Sequence, residues 1–216
     1  MDSLIRLVCL LMLVSQIYQF VFADDPLQDF CRGDLTAPPS INGLPCKTSS
    51  EVTLEDFFFD GLVTEGNTSN AFGSDVTMGN VLKFPGLNTQ GMSMNRVDIA
   101  PGGLVPPHIH PRAGESGFVL EGTVLVGFLT ADKVFHSKVL TVGWMFAIPK
   151  GLVHFAVNIG EGKALILSAF NSQLPGTVVV GSNLFGASPA IPDEVLAKAF
   201  QVEESVAARI KGKFSG

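Results

Sequence analysis

Four histidines occur in the chain, and three of them fall in two short, turn-rich stretches. His108 and His110 are two residues apart, and alternate side chains of a strand leave from the same face, so both imidazoles can meet one ion. Glu115 follows five residues later, across Pro111-Arg112-Ala113-Gly114, a run whose Pro and Gly can turn the chain back and aim a carboxylate at the same point. His154 must come from another strand. Three neutral imidazoles and one carboxylate leave a divalent ion with one residual positive charge. An ion that prefers six ligands then keeps two positions for water or substrate, the open arrangement of a catalytic metal. By type alone these donors suit iron, zinc or copper as well as manganese. A lone His-x-His pair is weak as a signal. The frame around this one is stronger: Gly102, His108, His110, Glu115 and Gly122, then Gly143, Pro149, Gly151, His154 and Asn158, with each turn-forming residue at its own offset. His136 stands outside both stretches and reads as a surface residue.

Strands have to position these donors. The runs 117–129, 139–148, 154–158 and 164–170 are short, β-branched or aromatic, and separated by Gly, Pro, Asp or Lys turns, the spacing of a β-sandwich or barrel. Strand-like pieces at 80–84 and 92–99 precede them. Residues 24–50, with Pro26, Pro38, Pro39, Pro45 and two cysteines, read as an irregular arm. After Pro192 the period changes: Val195, Leu196, Ala199 and Phe200, then Val202, Val206 and Ile210, recur at helical spacing, with Asp193-Glu194 in the first turn where the helix dipole favours negative charge. Two short amphipathic helices are expected, packed on their own barrel or on a neighbouring subunit.

With 216 residues, 23 glycines, 13 prolines and 16% charged residues, the chain suits one all-β domain better than a helical bundle. A formal charge of −6, with no Lys/Arg cluster, argues against nucleic acid or anionic membrane as a partner. Arg6 ahead of the apolar run 7–13, and Val21-Phe22-Ala23 ahead of Asp24-Asp25, predict a signal peptide over 1–23 and a secreted chain starting near Asp24. A membrane anchor is disfavoured, because Ser15, Gln16 and Gln19 interrupt the run before the roughly 20 apolar residues needed to span a bilayer. Cys9 leaves with the signal. Cys31 and Cys46 remain, either to bridge in an oxidising compartment or to serve as free thiol ligands. A bridge across this loop would constrain the unfolded chain by about 3 kcal/mol. Asn67-Thr68-Ser69 is a glycosylation sequon in a loop-like stretch. Arg32-Gly33-Asp34 is a common tripeptide and carries little adhesion signal.

The two stretches, GGLVPPHIHPRAGESGFVLEG at 102–122 and GWMFAIPKGLVHFAVN at 143–158, resemble the two motifs of the cupin superfamily. Within it the chain is similar to the plant germins and germin-like proteins, through PLQDFC, NGLPCK, GNTSN, SMNRVDIAPGG, FNSQLPG, LFG and PxIP. The resemblance implies a cupin jelly-roll barrel over 51–190, a disulfide-tethered arm over 24–50 and C-terminal helices over 191–216, together one domain over 24–216. It also implies manganese held by His108, His110, Glu115 and His154, a disulfide between Cys31 and Cys46, and a homo-hexamer built as a trimer of dimers through the helices; glycosylation at Asn67 is expected from the sequon together with the signal peptide. The expected location is extracellular, in the apoplast or cell wall.

Relatives oxidise oxalate to carbon dioxide with release of hydrogen peroxide, or dismute superoxide. Oxalate oxidases of the family present two asparagines to substrate. The first matches Asn95 and the second falls on Val105. A dicarboxylate needs donors at both ends, and leaving a charged oxygen unpaired costs on the order of 1–3 kcal/mol or more. The expected activity is superoxide dismutation, with Asn95 near the substrate and Arg112 offering local positive charge at the barrel mouth. The alternatives are oxalate oxidase and a non-enzymatic wall or receptor-like protein similar to auxin-binding relatives.

Overall fold

In the computed structural model residues 28–40 and 43–214 are described. The expected signal segment 1–23 lies outside them. Arg32–Gly216 forms one unit. Its strands, among the described residues, are β1 (Ser74–Gly79), β2 (Ser93–Ile99), β3 (Leu104–Ile109), β4 (Glu115–Glu121), β5 (Thr123–Leu129), β6 (Phe135–Thr141), β7 (Met145–Ile148), β8 (His154–Asn158), β9 (Ala164–Phe170) and β10 (Val178–Val179). They form two five-stranded antiparallel sheets, ordered β1-β2-β9-β4-β7 and β10-β3-β8-β5-β6. This is the jelly-roll expected from the sequence.

Alternation along the strands builds the interior. Ala164, Ile166, Ser168 and Phe170 of β9 are buried, with half-buried residues between them, and His154, Ala156 and Asn158 do the same in β8. Val97, Ile99, Val119, Ile148, Ala164 and Ile166 of one sheet pack against Val105, Val124, Val126, Leu140 and Ala156 of the other. Toward the opposite end the same inward face turns polar, through Asn95, Ser168 and His154. The side-chain period of two thus carries each strand from a dry core into a site.

Several expectations are corrected. The run 80–84 is a turn, because the Asn80 carbonyl accepts from Lys83 and Phe84 N–H and its side chain accepts from Leu82 N–H. The strand lies just before it, in Ser74–Gly79, where polar Ser, Asp and Thr mask the pattern. The run 117–129 is two strands, β4 and β5, one in each sheet, and the chain crosses between them at Gly122, whose φ of 82° favours glycine and whose Cβ would stand 2.6 Å from the Lys163 carbonyl. The run 139–148 is likewise two strands, the first starting at Phe135.

A short helix, α1 (Val180–Phe185), was not expected. The two expected C-terminal helices are α2 (Asp193–Phe200) and α3 (Glu204–Lys211). They make a small core of their own from Leu196, Ala197 and Ala207 with Leu184, Phe185 and Ile191, while Val195 and Phe200 stay about half exposed. The described part of the arm, residues 28–40 and 43–48, holds only isolated bridges, turns and bends. Its residues 33 and 46 form a bridge, Arg32 pairs with Asp56 at 2.7 Å, and Leu44 exchanges two hydrogen bonds with the buried Asn88 side chain. Cys31 and Cys46 are both disulfide-bonded, which leaves no free thiol there to serve as a ligand. Arg32 is occupied by its ion pair, which leaves the adhesion reading without support. Asn67 lies exposed in a loop. His136 is an exposed residue of β6, stacked on Phe128. Among the described residues no helix is long and apolar enough to cross a membrane.

Candidate metal centre

Neighbouring strands deliver the histidines. His108 of β3 pairs directly with His154 of β8, and the register slips between Val105 and His108, where Pro106 and Pro107 have no N–H to give the ladder. His110 follows just beyond the end of β3. Glu115 opens β4, opposite Phe170 of β9 on one side and Ile148 of β7 on the other. One donor atom from each of His108, His110, Glu115 and His154 lies within 4.8 Å of all the others. All four are buried or nearly so.

The hydrogen bonds fix which nitrogen of each ring is free. Nδ1 of His108 meets the Pro106 carbonyl at 2.8 Å, Nδ1 of His110 the Gly176 carbonyl at 2.7 Å, and Nδ1 of His154 the Leu152 carbonyl at 2.9 Å. A carbonyl only accepts, so each Nδ1 carries a proton, and a ring that ligates as neutral imidazole does so through an Nε2 lone pair turned inward. Nε2 of His110 and of His154 stand 3.1 and 3.0 Å from the same oxygen, Oε2 of Glu115. Lone pairs facing a carboxylate at that range need positive charge between them. Adjacent donors on an ion with bonds of about 2.1 Å, at right angles, are about 3 Å apart, so the donor set fits a metal ion.

The electrostatics agree. Burial, reinforced by the neighbouring His154, lowers the His108 pKa to about 4, which keeps the ring neutral and able to ligate. In the metal-free site burial would raise the Glu115 carboxyl, but hydrogen bonding from His110 and His154, whose Nε2 atoms then take protons where a cation would sit, and from Ser168 outweighs that and holds it well below the usual carboxylate range.

Two of these supporting residues were missed in the sequence. Ser168 Oγ donates to Oε1 of Glu115 at 2.6 Å, and the Phe170 ring lies edge-on to His110 at 4.7 Å between centroids. Both are inward positions of β9, and a serine in an otherwise apolar inward register was the available signal. Asn158, inside the second motif, is structural: it donates to the carbonyls of Ile99, Ala100 and Gly162. The motif glycines Gly102, Gly122, Gly143 and Gly151 all have φ between 70° and 88°.

Beside the four donors lies a cavity of about 350 Å³. Asn95, only 5% exposed, lines it, and so does Val105. Its other walls are mainly apolar, including Val97, Val126, Phe146 and Ile166. Arg112, expected at the mouth, is exposed, and its Nε is bonded to the Leu174 carbonyl at 2.7 Å.

A buried three-histidine, one-carboxylate cluster inside a jelly-roll defines a class, and comparison with known proteins agrees with it. The cupin family model matches residues 60–208. Germin-like protein subfamily T member 2 of Arabidopsis thaliana is 53% identical over 214 residues, covering 99% of this chain and 96% of the relative. The rhicadhesin receptor of Pisum sativum is 52% identical over 191 residues, 88% of each chain. An oxalate oxidase solved with the substrate analogue glycolate is 49% identical with a TM-score of 0.86, covering 89% of this chain and 98% of that one. The chain therefore belongs to the germin-like proteins of the cupin family.

Proposed function

We propose that the chain is an exported, manganese-dependent protein that dismutes superoxide. The observation that carries this reading is a convergent His108, His110, Glu115 and His154 set beside a cavity lined by Val105, at the position where the family resemblance implies a second amide in an oxalate oxidase. Manganese at this site would supply one-electron exchange in both directions, so that two superoxide ions and two protons give dioxygen and hydrogen peroxide.

The protein's own residues do the rest. The Nδ1 hydrogen bonds hold the three rings in the ligating tautomer, Ser168 holds one oxygen of Glu115, and Asn95, which lines the cavity, would offer an amide donor to a small anion. A diatomic substrate asks for no donor at Val105. Oxalate would leave one carboxylate against that valine. Manganese-loaded protein should consume superoxide and release peroxide while turning over oxalate poorly; rapid oxalate turnover by the unmodified chain would reverse the order. Val105→Asn should raise oxalate turnover, as followed by carbon dioxide release.

The apolar walls of the cavity favour a second reading, non-enzymatic binding of a small apolar acid. Calorimetric binding of an arylacetic acid by protein without redox activity would support it. The apolar stretch at the N-terminus and the exposed sequon support an extracellular, glycosylated protein with 24–216 as its single domain. The exposed Val195 and Phe200 of α2 support assembly through the helices into the expected hexamer.

A further inference from the structure

The three imidazoles are oriented in two different ways. His108 and His154 each bond to the carbonyl two residues earlier, so each ring is set by its own stretch of chain. His110 depends on Gly176, 66 residues away in sequence. The turn between His110 and Glu115 is fastened to that same distant segment at three further points. Arg112 N–H donates to the Pro175 carbonyl at 3.1 Å, Arg112 Nε to the Leu174 carbonyl at 2.7 Å, and Gly114 N–H to Asn171 Oδ1 at 2.9 Å. The guanidinium packs directly over Gly176, where a Cβ would stand 2.7 Å from Nη2 and 3.0 Å from Cζ. On its far side the segment is held by Ser93 Oγ, which donates to the Ser172 carbonyl at 2.7 Å, and by Val81 N–H, which donates to the Gln173 carbonyl at 2.9 Å.

We propose that Arg112 is a positioning residue for the metal: it clamps Leu174–Gly176 against the turn, fixes the Gly176 carbonyl, and through it holds the His110 ring with Nε2 facing the other donors. The inference rests on the metal-site reading above. It opposes the simpler idea that Arg112 acts as a local positive charge. A nearby cation repels a divalent ion, so loss of the charge alone would tighten metal binding. Loss of a group that orients a ligating histidine weakens it, by about 10- to 100-fold.

The test is Mn²⁺ binding to the full secreted chain after metal removal, read as affinity and as the electron paramagnetic resonance line shape of the bound ion, with the melting temperature of the metal-free protein measured alongside. Arg112→Ala should weaken binding about 10- to 100-fold and change the line shape, while the metal-free melting temperature stays at the wild-type value. Arg112→Lys keeps the charge but not the planar fork, and should weaken binding in the same direction by less. Unchanged or tighter binding in Arg112→Ala overturns the proposal. So does weaker binding matched by a lower metal-free melting temperature with an unchanged line shape. Wild-type protein that binds no Mn²⁺ removes the metal reading itself, and this inference with it.

Discussion

The interior of the barrel has two ends built on the same strands. At one end Ile99, Val119, Val124, Leu140 and Ala164 fill the space between the sheets. At the other, four ionisable side chains, Asn95 and Ser168 occupy positions of equal depth beside a cavity. Burial is the same; its physical meaning differs. The apolar end gains free energy from leaving water, whereas the polar end is tolerable because its groups find partners, backbone carbonyls for the three histidine Nδ1 atoms and Ser168 for Glu115. Stability should therefore reside in the first end and function in the second.

Substitutions that separate the ends test this directly. His154→Ala should abolish metal retention, measured by elemental analysis after dialysis, because one of four ligands is gone; the metal-free fold should persist by circular dichroism. Ile99→Ala also faces the interior of the sandwich but in the dry end, and should destabilise the fold by about 2 to 5 kcal/mol in urea unfolding, leaving metal affinity of the folded protein near wild type.

The polar end should also govern the acid response. The pKa of His108 in the folded protein is about 4, below the ordinary value of 6.5, so between those values the unfolded chain binds the extra proton and the folded one does not. Stability of metal-free protein should then fall as pH drops from about 6.5 toward 4, by about 3 kcal/mol in all, with Glu115 adding to the loss only below its ordinary range. Urea midpoints across that range check it. The smallest effect expected is that of Ser168→Ala. Removing one hydrogen bond to Glu115 should weaken metal binding about tenfold, as read by competition with a chelator.

The sequence carried the site further than it carried the fold. His108, His110, Glu115 and His154 were legible because the glycine and proline offsets record backbone turns that only those residues make easily; Gly151, at φ 82°, is one such position. Strands β2, β8 and β9 were legible from their period. Strand β1 was not, since Ser74, Asp75 and Thr77 break the apolar alternation, and the Asn80 turn that ends it borrowed the look of a strand. Helix α1 is only six residues long and too short to show a period. The Gly176 support of His110 was invisible for a different reason: a backbone carbonyl has no signature in the sequence, and 66 residues separate it from the ring it holds.

The most direct measurement is anomalous scattering at the manganese edge from crystals of the natively purified protein. The account predicts one manganese per chain, bounded by Nε2 of His108, His110 and His154 and a carboxylate oxygen of Glu115. A metal bound elsewhere, or a different element between those four side chains, would contradict it.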